Sequence, residues 1–166
     1  DQDISDLINN LKIPLNLEMA ATEEMLQIAL KNKPNACCIV PEKREEVTTE
    51  GGINTIKNFD ILKSYTDLIK KNGSRVSLFI NADQTQIDNC KKIGVDIIEI
   101  HTGKYCQLLE TENSEAQVEL DNITSMAEYA DNIGLEVHAG HGITFKSIKP
   151  LAQIKFFREF NIGHFI

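Results

Sequence analysis

The sequence predicts an α/β fold, a parallel sheet of about six strand-helix units that forms a partial TIM (β/α)8 barrel. Short apolar runs alternate with amphipathic stretches along the chain, and glycines close several of those stretches at matching places. The junctions Ile93-Gly94-Val95-Asp96-Ile97 and Ile133-Gly134-Leu135-Glu136-Val137 nearly repeat each other, as successive copies of one unit would. Strict alternation is compatible with a doubly wound sheet or with a barrel. A complete barrel has eight strands and typically about 250 residues, so a chain of 166 residues that opens on a helix and stops in a strand reads as part of one. Residues 1–166 are then a single partial-barrel domain.

Ile4 to Ile8 has a helical pattern, and Pro14 to Met19 reads as the first strand. Glu23 and Glu24 suit the first turn of the next helix, where the macrodipole favours acids, and Met25, Ile28 and Ala29 form its apolar face. The second strand is Ala36 to Val40, followed by a long polar loop and a helix marked by Phe59, Leu62, Thr66 and Ile69 that closes near Gly73. Arg75 to Ile80 is a third strand, and Asp83 with Gln86 gives a capping-box-like start to a helix ended by Gly94. Asp96 to Ile100 is a fourth strand. Ser114 and Gln117 are expected to cap a helix through Leu120, Ile123 and Ala130, which Gly134 ends before a strand over Leu135 to Ala139. A last helix over Ile148 to Phe157 and a strand over Asn161 to Ile166 complete the reading.

Hydrophobic residues make up 42% of the chain, enough for one sizeable core. No apolar run has the length of a membrane span, and Asp1-Gln2-Asp3 lacks the basic and apolar regions of a signal peptide, so no membrane partner is expected. A net charge of -8 and a pI near 5.0 disfavour a nucleic-acid surface, so an anionic ligand must be held locally. Cys37, Cys38, Cys90 and Cys106 show no metal-binding spacing, and Cys37 and Cys38 would face opposite ways on a strand. A reducing, cytoplasmic compartment fits this usage.

In a parallel sheet the C-terminal strand ends share one side, where residues distant in sequence converge. Those ends carry Glu18, the loop Pro41 to Gly52, Glu99 with His101 and Thr102, His138 and His141, and Gly163 with His164. All four histidines fall on this expected rim. The loop offers Lys43 and Arg44 to anions, hydroxyls at Thr48 and Thr49, and a Gly51-Gly52 pair permitting close approach or a sharp turn; its mixed charges equally suit a solvated surface. Glu18 interrupts an apolar run, where a carboxylate is costly to bury unless paired or used. His141 lies between two glycines, as an acid-base centre near neutral pH can require, whereas His101 and His138 equally suit packing roles. Gly163-His164 could present N–H groups and an imidazole to a phosphate, or simply form a tight turn. Two further readings use the same groups: Glu18, His101, His138 and His141 as the metal site of a barrel hydrolase or aldolase, or a remnant that binds phosphate esters without turnover.

The chain resembles the pyridoxine 5′-phosphate synthase family over all 166 residues. The resemblance rests on six ordered motifs: NLEMAATEEML (Asn16 to Leu26), CCIVPEKREEVTTEGG (Cys37 to Gly52), VSLFINAD (Val76 to Asp83), IEIHTG (Ile98 to Gly103), AGHG (Ala139 to Gly142) and NIGH (Asn161 to His164). It implies a (β/α)8 barrel that condenses 1-deoxy-D-xylulose 5-phosphate with 3-amino-2-oxopropyl phosphate, without a bound cofactor or metal. By motif it implies Glu18 as general base, His141 as proton donor and Thr48 as a contact to the deoxyxylulose phosphate. Gly142, Gly163 and His164 would bind the aminoketone phosphate. The family's Asn-x-Asp-His and His-x-Arg segments and its closing helix are not present, so the piece alone is expected to be inactive, and the full-length protein a homo-oligomer acting on small phosphorylated substrates.

Overall fold

The computed structural model describes residues 2–41 and 51–166. After helix α1 (Gln2–Asn10), strand β1 (Asn16–Ala20) leads to α2 (Glu23–Asn32), and β2 (Ala36–Val40) to α3 (Phe59–Lys71). Strand β3 (Arg75–Ile80) leads to α4 (Gln84–Ile93), and β4 (Ile97–His101) to α5 (Gly103–Glu110) and α6 (Ala116–Asn132). Strand β5 (Glu136–Gly140) precedes the one-turn α7 (Ile148–Leu151) and β6 (Phe157–Asn161).

All six strands are parallel and lie in sequence order. That order decides between the two architectures. A doubly wound sheet reverses its strand order midway to cover both faces, whereas right-handed crossovers always stepping the same way put every helix on one side and curl the sheet as a barrel wall. Period-two alternation then separates the side chains. Cys37, Ile39, Val76, Leu78, Ile80, Ile98, Ile100, Val137 and Ala139 pack in one cluster with Leu26, Leu62, Ile69, Ile87, Ile123 and Ala127 from the helices. Each large aliphatic buried there contributes about 1.5–3 kcal/mol. Residues of opposite parity, Glu18, Cys38, Ser77, Phe79, Glu99, His101 and His138, line the concave face.

Local chemistry sets the helix ends. Asp83 accepts from Gln86 N–H at 3.0 Å, the expected N-cap, and Thr22 likewise caps α2 by accepting from Met25 N–H at 3.3 Å. The reciprocal half of the Asp83 capping box is absent, because Gln86 Oε1 instead accepts from the backbone and hydroxyl of Thr55. Gly94 ends α4 at φ 92°, donating to Cys90 O.

Three expectations need correction. Helix α6 starts after Glu115 without a side-chain cap from Ser114; Asn113 organises the preceding turn by accepting from Glu115 N–H at 2.9 Å. Helix α5 occupies a stretch between the fourth strand and Ser114 to which the sequence assigns no element. The final helix stops at Leu151 rather than Phe157, and the last strand is Phe157–Asn161 rather than Asn161 to Ile166. Phe157 enters the core as the register partner of Val137, and the register then shifts by one residue so that Glu159 pairs with His138 and Phe160 with Ala139; this irregularity spaces the two core-facing phenylalanines three apart, as a helix would.

Where the chain returns at Gly51 it settles against the end of β3. Ile53 N–H donates to Phe79 O at 2.7 Å and Gly52 N–H to Asn81 Oδ1 at 2.8 Å. A Cβ on Gly52 would lie 2.2 Å from Ile80 Cα, so glycine is required by backbone contact. Gly52→Ala is therefore expected to destabilise the full-length protein by about 1–3 kcal/mol, the usual cost of overpacking. A urea unfolding curve checks this: an unshifted midpoint would mean that the contact is dispensable.

Candidate functional site

Glu99 occupies the middle of the concave face. The run Ile97-Ile98-Glu99-Ile100 alternates so that Ile98 and Ile100 enter the helix-side core and Glu99 turns the other way, yet Glu99 is only 7% exposed. Asn161 Nδ2 donates to its Oε2 at 2.7 Å, and Cys38 Sγ donates to the same oxygen at 3.4 Å. The other oxygen lies over Gly140, where a Cβ would come within 1.9 Å of it. Burial pushes the carboxyl up to about 7, reinforced by the nearby charges of Glu18 and Glu159, while the bonds from Cys38 and Asn161 pull the other way. With Oε2 accepting both hydrogen bonds, Oε1 is the natural place for the proton. The sequence puts Glu99 at a strand end but gives it no role, although it interrupts an apolar run just as Glu18 does.

The adjacent rim carries a ring cluster. His101 and His141 have ring centroids 4.9 Å apart, with Phe79 edge-on to His101 at 5.2 Å and 6.3 Å from His141. A side chain at Gly103 would strike both imidazoles, its Cβ lying 2.7 Å from His141 Cδ2 and 2.9 Å from His101 Nε2. His101 is buried, whereas His141 is exposed beyond the end of β5. His141 adopts φ 76° and Gly142 φ 73°, two successive left-handed residues.

The remaining expected positions divide. Gly163 and His164 are exposed beyond β6, and Phe165 meets Phe145 edge-on at 5.0 Å, tying that segment to the one that follows Gly142. Nothing lies within 4 Å of a Cβ built on Gly163. Its glycine is not imposed by packing. Glu18 is in register with Cys38 on the edge strand and is exposed, so the burial argument applied to it belongs to Glu99. Thr48, with Lys43, Arg44 and Thr49, lies outside the described residues.

His138 is not on the rim. It sits mid-strand, 3% exposed, with Nε2 bonded to Glu136 Oε1 at 2.8 Å and Nδ1 3.6 Å from Glu159 Oε1, beyond hydrogen-bonding distance. Arg75 completes this group by pairing with Glu136 at 2.7 Å. Bonded to a residue at the start of its own strand, His138 leans away from the rim. The metal reading also loses its geometry, because no three His, Cys, Asp or Glu side chains are placed to hold an ion among the described residues.

The family described as pyridoxal phosphate biosynthesis protein PdxJ matches residues 1–166. Curated proteins named pyridoxine 5′-phosphate synthase are similar throughout. The one from Roseobacter denitrificans is 48% identical over 167 residues, covering 100% of this chain and 67% of its own length. The one from Zymomonas mobilis is 47% identical over 166 residues, covering 100% of this chain and 64% of its own length. The chain thus spans about two thirds of the relatives it matches. Among solved structures, the EAL domain of Mycobacterium smegmatis DcpA superposes with a TM-score of 0.59 at 13% identity, covering 95% of this chain and 72% of that one. A xylose isomerase domain protein from Planctomyces limnophilus gives 0.53 at 12% identity, covering 86% of this chain and 59% of that one. Likeness at such low identity speaks for the fold alone.

The raised Glu99 carboxyl has a consequence for stability. Because it holds its proton up to about 7 when folded and loses it near 4.5 when unfolded, the folded state binds more protons between those values, and stability falls as pH rises through that window. Glu99→Gln, which can still accept from Asn161, is expected to match the parent near pH 4 and to exceed it by about 2–3 kcal/mol at pH 8. Denaturant titrations of the full-length protein at both pH values measure this; a constant difference across pH would place the proton elsewhere.

Proposed function

Because the chain belongs to the family of the pyridoxal phosphate biosynthesis protein PdxJ, we propose that it forms part of the active site of a pyridoxine 5′-phosphate synthase. The reaction condenses 1-deoxy-D-xylulose 5-phosphate with 3-amino-2-oxopropyl phosphate into pyridoxine 5′-phosphate, releasing inorganic phosphate and water. The observation that carries the reading is the pairing on one face of a buried carboxyl held near neutral titration with an exposed imidazole at the rim. Imine formation, enolisation, water loss and phosphate elimination all require protons moved between carbon and oxygen, which a carboxyl and an imidazole can carry.

In this reading Glu18, exposed on β1, removes a proton from carbon, and His141 delivers one to a departing oxygen. Glu99, when protonated on Oε1, donates a hydrogen bond to oxygen that gains negative charge, a role its burial favours because desolvation raises the share of the neutral acid. Thr48 contacts the deoxyxylulose phosphate. Gly142, Gly163 and His164 hold the aminoketone phosphate through N–H groups and an imidazole; the open space above Gly163 supports that assignment. The same reading makes the full-length protein a cytoplasmic homo-oligomer that works on small phosphorylated molecules without a bound cofactor.

Glu18→Gln and His141→Asn in the full-length protein are each expected to lower kcat by about 10²–10⁴-fold, with circular dichroism unchanged. Product formation from the two phosphorylated substrates is the assay. A parent protein that binds both substrates and yields no pyridoxine 5′-phosphate would favour the non-catalytic reading, and full turnover by Glu18→Gln would move the base to another residue.

A further inference from the structure

We propose that Thr102 is a positioning residue that latches His141 in its left-handed conformation; this rests on the reading of His141 as the proton donor. Among the described residues three non-glycines have positive φ: Lys33, Glu112 and His141. Lys33 caps the end of α2 and Glu112 follows the end of α5, common places for such a backbone. His141 alone adopts it directly after a strand, where a side chain with a Cβ persists only if its surroundings hold it.

The holding group is visible. Thr102, with 0% exposure, directs its hydroxyl at two successive carbonyls, Gly140 O at 2.9 Å and His141 O at 2.8 Å. Its backbone N–H also donates to Gly140 O at 2.9 Å, continuing the β4–β5 ladder past the last strand residue. The only other contact to His141 O among the described residues is the weaker one from Cys106 Sγ at 3.9 Å. A carbonyl fixed on both sides of His141 Cα fixes the peptide planes there, and with them the direction in which the imidazole leaves the backbone. His101, Thr102 and Gly103 thus divide three tasks along consecutive residues: the first packs at a tilt of 33° against the His141 ring, the second holds its backbone, and the third leaves room for it.

Thr102→Val has nearly the same shape and keeps the backbone N–H bond to Gly140, so it removes the latch alone. In the full-length protein it is expected to lower kcat by about tenfold or more while KM stays within about twofold, since a displacement of about 1 Å at a catalytic group can cost about a hundredfold. Thr102→Ser, which retains the hydroxyl, should restore most of the turnover. In a His141→Asn background Thr102→Val should cost nothing further, because the group it positions is gone. Parental kcat in Thr102→Val, an equal loss in the His141→Asn background, or a serine variant no better than valine would each overturn the latch while leaving the donor reading intact. Parental turnover in His141→Asn would instead remove the donor reading and the latch together. Should Thr102→Val not fold, Thr102→Ala removes the same hydroxyl without added bulk and is judged by the same outcomes.

Discussion

The parallel pairing of the six strands, in unbroken register from β1 to β5 and shifted by one residue between β5 and β6, is the constraint on which everything else depends. Because side chains alternate with a period of two and every crossover steps the same way, one parity of residue meets the helices and the other meets its counterparts across the concave face. Cys37 and Cys38 show the division within two residues: the first joins the aliphatic core, and the second donates to Glu99 from a strand two places away. A slip of one residue in any strand would exchange these faces, placing Glu99 among isoleucines and Ile98 and Ile100 on the polar wall. Folding energy and site assembly are thus set by the same register.

That shared wall explains how a carboxyl can be buried there. Asn161 and Cys38 supply donors, but they satisfy one oxygen, and the pull of these two bonds is smaller than the desolvation and the repulsion from Glu18 and Glu159. The proton therefore stays to higher pH than in water. Gly140 is what makes the position possible, since any side chain there would occupy the space of Glu99 Oε1. In the AGHG segment the two glycines have different reasons: Gly140 yields volume to a carboxyl, whereas Gly142 supplies a left-handed backbone after His141.

Most of the strand-helix grammar was legible in the chain, because strong apolar periods and glycine stops report local physics. Strands Ala36–Val40 and Arg75–Ile80 and the caps at Asp83 and Gly94 were readable for that reason. The failures came where tertiary packing chose between periods. Phe157 belongs to a strand only because Val137 offers it a partner, and no local signal says so. The site was legible as a rim but not as a set of contacts. A carboxylate interrupting an apolar run was a valid signal that fitted two residues, Glu18 and Glu99, and only the third dimension showed which of them lies at an exposed edge and which in a closed interior. His138 is the converse case: its place near the end of the expected strand suggested the rim, and its bond to Glu136 turns it the other way.

Charge poses the remaining difficulty. In the proposed reading, a chain of net charge -8 is a poor general attractor for two phosphorylated substrates, and the concave face adds Glu18, Glu99, Glu136 and Glu159 to the liability. The wall lessens that repulsion without becoming basic. Arg75 and His138 engage both oxygens of Glu136, and burial holds Glu99 toward its neutral form. Neutralising Glu99 by desolvation rather than by a salt bridge leaves its proton available, so the step that makes the face tolerable to phosphate also arms it for proton donation. A lysine or arginine beside Glu99 would relieve the repulsion equally well, but it would drive the carboxyl to its charged form and remove the proton that the proposed chemistry uses.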